Sequence, residues 1–405
     1  MKSLQEEVYT DSELQQRLEI KWLVRAFQLV VAIFVGIKIS IYVVLHYAPE
    51  GFFSLESGRI QSGGTPDRIL SPNVSVQQHY QWQALPAFAP APMNNLLTAE
   101  KVQLGEMLFF DKNLSADRTL SCASCHELFK HAGADGAAVS TGISGQKGDR
   151  NAPTVWNAAF QKRLFWDGRA KSLEEQAVQP FLNPIEMGMN STTQIEKRVQ
   201  EQRRYQSVFA KAFPDQPEVS IDNIAKAIAS YERTLNTNDS PYDDFVRGNQ
   251  TALTPKQLSG MSLFEQQGCV HCHFGPNFSA ASVFNDGLEL RVFPANPEQI
   301  DLNFGPENEP AKSAVWRVPS LRNVALTGPW LHNGQIDDLH EVVRIMSKAQ
   351  LGKSDQRTFQ WSKSSLGVVE NPDLTEQQID DIVAFLQALS SKTLLRSGKY
   401  QSNAD

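Results

Sequence analysis

Two short stretches hold most of the chemistry open to this 405-residue chain. They are Ser121-Cys122-Ala123-Ser124-Cys125-His126 and Gly268-Cys269-Val270-His271-Cys272-His273. Each reads C-x-x-C-H. Two thiols three residues apart lie on one helical turn, where each can add to a vinyl group of a haem, and the histidine that follows is then held under the iron. The chain has 4 Cys, all inside these motifs, so none is left for a disulfide or a nucleophile. A zinc site would need its ligand pairs in one small module, whereas these pairs lie far apart in sequence. A thiol redox pair needs no histidine after it. Two covalently bound c-type haems are therefore expected, held by Cys122, Cys125 and His126, and by Cys269, Cys272 and His273.

The rest of the chain must export and position these motifs. A net charge of -7 argues against nucleic acid as a partner. Residues 26–48 are mostly apolar and about long enough to span a bilayer, although Lys38 interrupts them. Lys2, Arg17, Lys21 and Arg25 precede them. The expectation is a cytoplasmic segment (1–25), a transmembrane anchor (26–48) and an exported body, making a single-pass protein of the bacterial inner membrane that faces the periplasm. Attachment of haem to C-x-x-C-H outside the cytoplasm requires such an export segment. Residues 49–95, with Gly63-Gly64 and a Pro-Ala run, read as a partly extended linker.

An internal repeat follows. Leu97-Thr98-Ala99-Glu100 resembles Leu253-Thr254-Pro255-Lys256, each with a Thr N-cap. Gly105-x-x-Leu108-Phe109 resembles Gly260-x-x-Leu263-Phe264. Each half then reaches its C-x-x-C-H and closes with an amphipathic helix. One stripe is Ile221, Ile224, Ile228, Tyr231 and Leu235. The other is Ile379, Ile382, Val383, Leu386 and Leu389, opened by the capping box Thr375-x-x-Gln378. The expected fold is mainly α: two cytochrome c-like domains in tandem (96–250 and 251–395), each with one covalent haem, preceded by a single transmembrane helix and followed by a tail (396–405).

The segments between the motifs resemble the bacterial dihaem cytochrome c peroxidase and MauG family. The resemblance rests on Arg150-Asn151-Ala152-Pro153-Thr154, Phe165-Trp166-Asp167-Gly168-Arg169, Glu174-Glu175-Gln176 and Glu186-Met187. It continues through Val318-Pro319-Ser320-Leu321-Arg322-Asn323, Thr327-Gly328-Pro329-Trp330-Leu331-His332-Asn333-Gly334 and Met346-x-x-x-Gln350-Leu351-Gly352. It covers about 100–390. The resemblance implies a peroxidase that reduces hydrogen peroxide to water, with electrons passing from the C-terminal to the N-terminal haem. His126 would be the proximal ligand of the peroxidatic haem, Glu186 the distal acid-base group and Gln176 its hydrogen-bonding neighbour. Trp166 would lie between the haems, and His273 and Met346 would be the axial ligands of the C-terminal haem. Asn151, Thr327 and Pro329 match positions around one calcium ion.

The residues themselves agree with part of this. Splitting the O–O bond of peroxide needs a group that moves a proton from one oxygen to the other, and a carboxyl with a burial-raised pKa can do so. Glu186 sits in the Pro/Gly-punctuated loop Asn183-Pro184-Ile185-Glu186-Met187-Gly188-Met189. The chain departs from the family where many members place a distal histidine: Ile143 stands there and cannot ligate iron. The N-terminal iron is then expected to have an open distal face that needs no reductive activation, unless Met187 or Met189 fills it. His131 lies too close to His126 in the chain to reach the opposite face. The donor could be a small cytochrome c, a copper protein or quinol, and a homodimer is compatible with the family. Two other readings stay open. One is a MauG-like oxidant of a protein or organic substrate, disfavoured by Met346 where MauG has tyrosine. The other is a non-catalytic dihaem electron-transfer cytochrome.

Overall fold

In both halves the closing stripe is a helix whose apolar face is buried. A computed structural model describes residues 80–295, 314–351 and 373–397. The expected cytoplasmic segment and membrane anchor lie outside the described residues, as does most of the tail. No helix among the described residues is long and apolar enough to cross a membrane. In chain order the helices are α1 (Ala99–Phe109), α2 (Cys122–Cys125), α3 (Leu173–Leu182), α4 (Thr192–Gln200), α5 (Arg203–Ala212), α6 (Ile221–Glu232), α7 (Pro241–Val246), α8 (Pro255–Gln266), α9 (Leu339–Ala349), α10 (Glu376–Ala388) and α11 (Lys392–Arg396). One antiparallel pair, β1 (Leu290–Phe293) and β2 (Ala314–Arg317), sets Leu290 opposite Arg317. The fold is mainly helical.

The helix starts follow their caps. The Thr98 hydroxyl accepts from the Lys101 amide at 3.2 Å. Thr254 and Gln257 form a reciprocal box at 2.9 and 3.3 Å, and Thr375 and Gln378 another at 2.9 and 3.2 Å. Such caps contribute about 1 kcal/mol each.

Packing repeats as well. In the first core Leu104, Leu108 and Phe109 of α1 meet Ile224 and Ile228 of α6. In the second, Met261 and Phe264 of α8 meet Ile379, Ile382, Phe385 and Leu386 of α10. A glycine sits at each crossing. A Cβ on Gly105 would come within 1.9 Å of the Ala227 carbonyl oxygen, and one on Gly260 within 1.8 Å of that of Asp381. The two G-x-x-L-F segments match in sequence because each lets a backbone approach its partner helix this closely.

Two features differ from the expected layout. Tyr242, Phe245 and Val246, ahead of the expected boundary at 250, pack into the second core. Residues 80–95, expected as the end of a linker, are mostly irregular, with a 3-10 turn at Met93–Asn95, but form a strap across both halves. Tyr80 and Trp82 pack on the second core. The Tyr80 amide donates to Glu265 at 2.8 Å, the Leu85 amide to Asp243 at 3.1 Å, and the Tyr242 hydroxyl to the Gln83 carbonyl at 3.1 Å. Further on, buried Asn95 donates through Nδ2 to Glu174 at 2.7 Å and to the Lys226 carbonyl at 3.0 Å, in the first half. The reason is composition: Tyr80, Trp82 and Leu85 carry enough apolar surface to bury, although proline rules out a helical period.

Candidate active site

The first motif forms the single turn α2, closed by the His126 amide donating to the Cys122 carbonyl at 3.0 Å. The second forms a 3-10 turn over Cys269–His271, and the His273 amide donates to the Cys269 carbonyl at 2.9 Å. The two histidines are fixed in the same way. His126 Nδ1 lies 3.0 Å from the Gly133 carbonyl oxygen, and His273 Nδ1 lies 3.1 Å from that of Phe278. A carbonyl only accepts, so each Nδ1 carries the proton and each Nε2 keeps a free lone pair for a metal. Burial also keeps both rings neutral: it lowers the His126 pKa and pushes that of His273 down to about 4. None of the four cysteines is in a disulfide. Burial pushes Cys122 up to about 12 and Cys125 up to about 11, so both stay S–H, the form that adds across a vinyl. This donor set fits one covalent c-type haem at each motif.

Glu186 lies beside the first motif, close enough for its charge to raise the Cys125 thiol. Its loop starts where α3 ends, at Asn183. The Asn183 Oδ1 accepts from the Ile185 amide at 3.0 Å, an Asx turn, while Nδ2 donates to Glu186 Oε1 at 2.7 Å. Backbone bonds then lock the loop. The Ile143 amide is shared between the Ile185 and Glu186 carbonyls at 3.1 and 3.0 Å, and the Ala116 amide donates to the Met187 carbonyl at 2.7 Å. A Cβ on Gly142 would meet the Ile185 carbonyl oxygen at 1.7 Å. Gly188 has φ +65, and a Cβ there would strike Ile143 Cδ1 at 2.2 Å. Ile143 is thus packed against the Glu186 loop. Burial raises the Glu186 pKa, with Arg169 and the Asn183 bond pulling it down and Asp149 adding to the rise. Met187 and Met189 are buried in the first core, and His131 lies 3.7 Å from Glu127. Gln176 is half-buried on α3, the helix leading into the loop, and no hydrogen bond among the described residues joins its side chain to Glu186.

Trp166 and Met346 pack in one small cluster with Phe293, Trp316, Leu331, Ile336, Ile345 and Ala349. Trp166 Nε1 donates to the Asn151 carbonyl at 2.9 Å, and its ring meets His332 edge-on at 6.4 Å. His332 stacks on Trp316 at 4.4 Å, and Arg150 lies over the Trp316 ring at 5.1 Å. Asn151 is tied to the segment carrying Thr327 and Pro329, because its amide donates to the His332 carbonyl at 2.8 Å. Its Nδ2 donates to the Ala137 carbonyl at 2.9 Å, which leaves Oδ1 without a donor among the described residues. The Thr327 hydroxyl donates to the Val324 carbonyl at 3.2 Å.

Sequence reasoning missed several side chains here. Asn183 stands three residues before Glu186, a spacing from which an Asx turn is readable. Arg169, Trp316 and Glu232 gave no such signal, since only tertiary packing brings them in. Glu232 closes α6, is buried, and influences Cys122. Its Oε2 has no hydrogen-bond partner among the described residues. Its neighbour Arg233 is taken up by Glu174, at 2.7 and 3.1 Å. Burial pushes Glu232 up to about 8, from an ordinary value of 4.5. Between these values the folded chain keeps a proton that the unfolded chain has lost, so stability falls as pH rises through that window. Glu232→Gln is expected to gain thermal stability relative to wild type on going from pH 5 to pH 8. A gap between the two melting temperatures that does not change with pH would rule out an uncharged Glu232.

Comparison with known proteins places these features. Residues 99–251 match the model of the di-haem cytochrome c peroxidase family. The chain is 38% identical over 322 residues to the cytochrome c551 peroxidase of Pseudomonas aeruginosa, covering 76% of this chain and 86% of that one. It is 32% identical over 315 residues to the methylamine utilization protein MauG of Methylophilus methylotrophus, covering 76% and 88%. A solved MauG-like protein associated with microbial copper homeostasis is 33% identical, with a TM-score of 0.63 over 78% of this chain and 97% of that one. With two C-x-x-C-H motifs, two alike histidine settings and this likeness along most of its length, the chain belongs to the dihaem cytochrome c peroxidase and MauG family.

Proposed function

We infer that this protein is a peroxidase that reduces hydrogen peroxide to water: H2O2 plus two electrons and two protons gives two H2O. The observation that carries the reading is Glu186, a burial-raised carboxyl held beside Cys125 by an Asn183 hydrogen bond and a locked loop. When bound, the haems supply the iron that meets peroxide and carry the electrons, which enter on the Cys269–His273 side and are used on the Cys122–His126 side. Glu186 takes a proton from one peroxide oxygen and returns it to the other. Gln176 hydrogen-bonds the peroxide. His126 would hold the first iron, and Ile143, packed against the Glu186 loop, could not ligate it. His273 and Met346 would hold the second, where a methionine sulfur would raise its potential for accepting electrons. The packing of Trp166 with Met346 supports Trp166 as the element between the two. The two cores support two haem domains, with Tyr242, Phe245 and Val246 on the second side of the boundary expected at 250. The unused Oδ1 of Asn151 and its link to the 327–332 segment support one calcium ion at Asn151, Thr327 and Pro329. The proposed setting is the periplasmic face of the inner membrane, anchored by residues 26–48, with a small cytochrome c, copper protein or quinol as donor and a homodimer as the assembly.

Anaerobic mixing of the fully reduced protein with peroxide tests the reading. Two electrons should leave the protein per peroxide consumed, and a reduced protein that peroxide leaves untouched would sink it in favour of a pure electron carrier. A MauG-like oxidant is the second reading, favoured by the apolar Ile143 face. It predicts peroxide-driven oxidation of a co-substrate by the protein without an electron donor.

The pH profile carries a signature of its own. Glu186 must be ionised to accept a proton, so activity falls on the acid side. Arg169 helps hold its pKa down. In Arg169→Gln the acid limb should move to higher pH. An unmoved limb in the pH–rate profile would mean that Glu186 is not the group titrating.

A further inference from the structure

Three arginines are buried among the described residues: Arg233, Arg317 and Arg322. Two have a carboxylate. Arg233 meets Glu174 at 2.7 Å and Arg322 meets Asp243 at 2.7 Å. Arg317, at the end of β2, is 6% exposed and has none. Its Nε donates to the Phe165 carbonyl at 3.0 Å and its amide to the Trp166 carbonyl at 2.7 Å. Burial lowers it to about 10, with no acidic group acting on it, so at neutral pH it stays a cation. A buried charge is normally paired, and a guanidinium presents a fork of donors that matches a carboxylate. Among the described residues Arg317 has no such partner.

The surroundings point to what completes it. Arg317 grips the backbone of Phe165 and Trp166. Two residues on, the Pro319 backbone lies close enough to the His273 ring to influence it, and the Val318 carbonyl accepts from the Ser279 hydroxyl at 2.6 Å, in the loop after the second motif. The anion available there is a carboxylate side chain of the porphyrin itself. We propose that the Arg317 guanidinium would hold a propionate of the haem attached at Cys269 and Cys272 and keep a positive charge beside it. This rests on the dihaem reading above.

The test is spectroelectrochemistry of the holoprotein, with covalent haem content measured first. Removing a cation beside a haem makes its reduced form less favourable. In Arg317→Gln the higher-potential haem, the one with thioether ligation, should show about a tenfold lower ratio of reduced to oxidised at the wild-type midpoint, equivalent to about 59 mV. The lower-potential haem should be unmoved. Arg317→Lys, which keeps the charge and tolerates the site, should restore most of the potential even if the Gln variant folds poorly. Two bound haems with unchanged potentials in the Gln variant overturn the proposal, as does a shift confined to the lower-potential haem. Absence of covalent haem from the wild type would instead overturn the dihaem reading.

Discussion

Glu186→Gln is expected to lower kcat/KM for peroxide by about 10²- to 10⁴-fold, the usual contribution of a positioned acid-base group. Glutamine keeps the shape and the oxygen that accepts from Asn183 Nδ2, so the loop should stay in place. Only the proton transfer is lost. Reduction of the variant by an artificial donor, and its oxidised and reduced spectra, should match those of wild type. The comparison therefore separates catalysis from electron entry. A loss below about tenfold would remove Glu186 from the proton-transfer step and leave Gln176 as the remaining distal candidate. Asn183→Ala, which frees the carboxyl without removing it, should fall between the two.

Gly260→Ala should destabilise the protein by about 3 kcal/mol, and Gly105→Ala by a similar amount. The sign is the useful part. Inside a helix, alanine is favoured over glycine by about 1 kcal/mol. A stabilised variant would mean that α8 and α10 do not approach as closely as the 1.8 Å clash with the Asp381 carbonyl oxygen requires. The obstacle is backbone, not the tip of a flexible side chain, so the helices must move apart and loosen the Phe264 and Phe385 contact, now 5.4 Å between ring centroids. Equilibrium denaturation measures the loss. Because α8 leads directly into Cys269, the variant should also bind its second haem less completely than its first.

What could be read in advance follows from how local each signal is. The haem motifs were legible because two thiols and a histidine on one turn are set by chain spacing alone. The Thr254 and Thr375 boxes were legible for the same reason, since a cap and its partner lie three residues apart. The stripes of α6 and α10 followed from helical periodicity. Glu186 was legible as an acid-base candidate whose pKa burial would raise, but not what buries it: its loop packs against chain segments as remote as Gly142 and Ile143. Arg317 was unreadable, because nothing local distinguishes an arginine that will be buried beside a tryptophan backbone from one that faces water. The strap was hidden too. Its aromatics follow no helical or strand period, and their partners, Tyr242, Phe264 and Phe385, lie far along the chain.

That strap bears on the order in which the molecule is assembled. Tyr80, Trp82 and Leu85 emerge early in synthesis, yet Trp82 packs against Phe385, almost the last part of the body to be made. The early-synthesised apolar segment must remain unsatisfied while the first core forms beside it, and it finds its seat only when the final helices arrive. Closure of such distant contacts is slow, and the exposed residues are open to association in the meantime. The seat is also the floor under the second motif, since the Tyr80 hydroxyl accepts from the Gly275 amide two residues after His273. Maturation of the half that carries the second motif is thus timed by Tyr80, Trp82 and Leu85 as much as by the last helices.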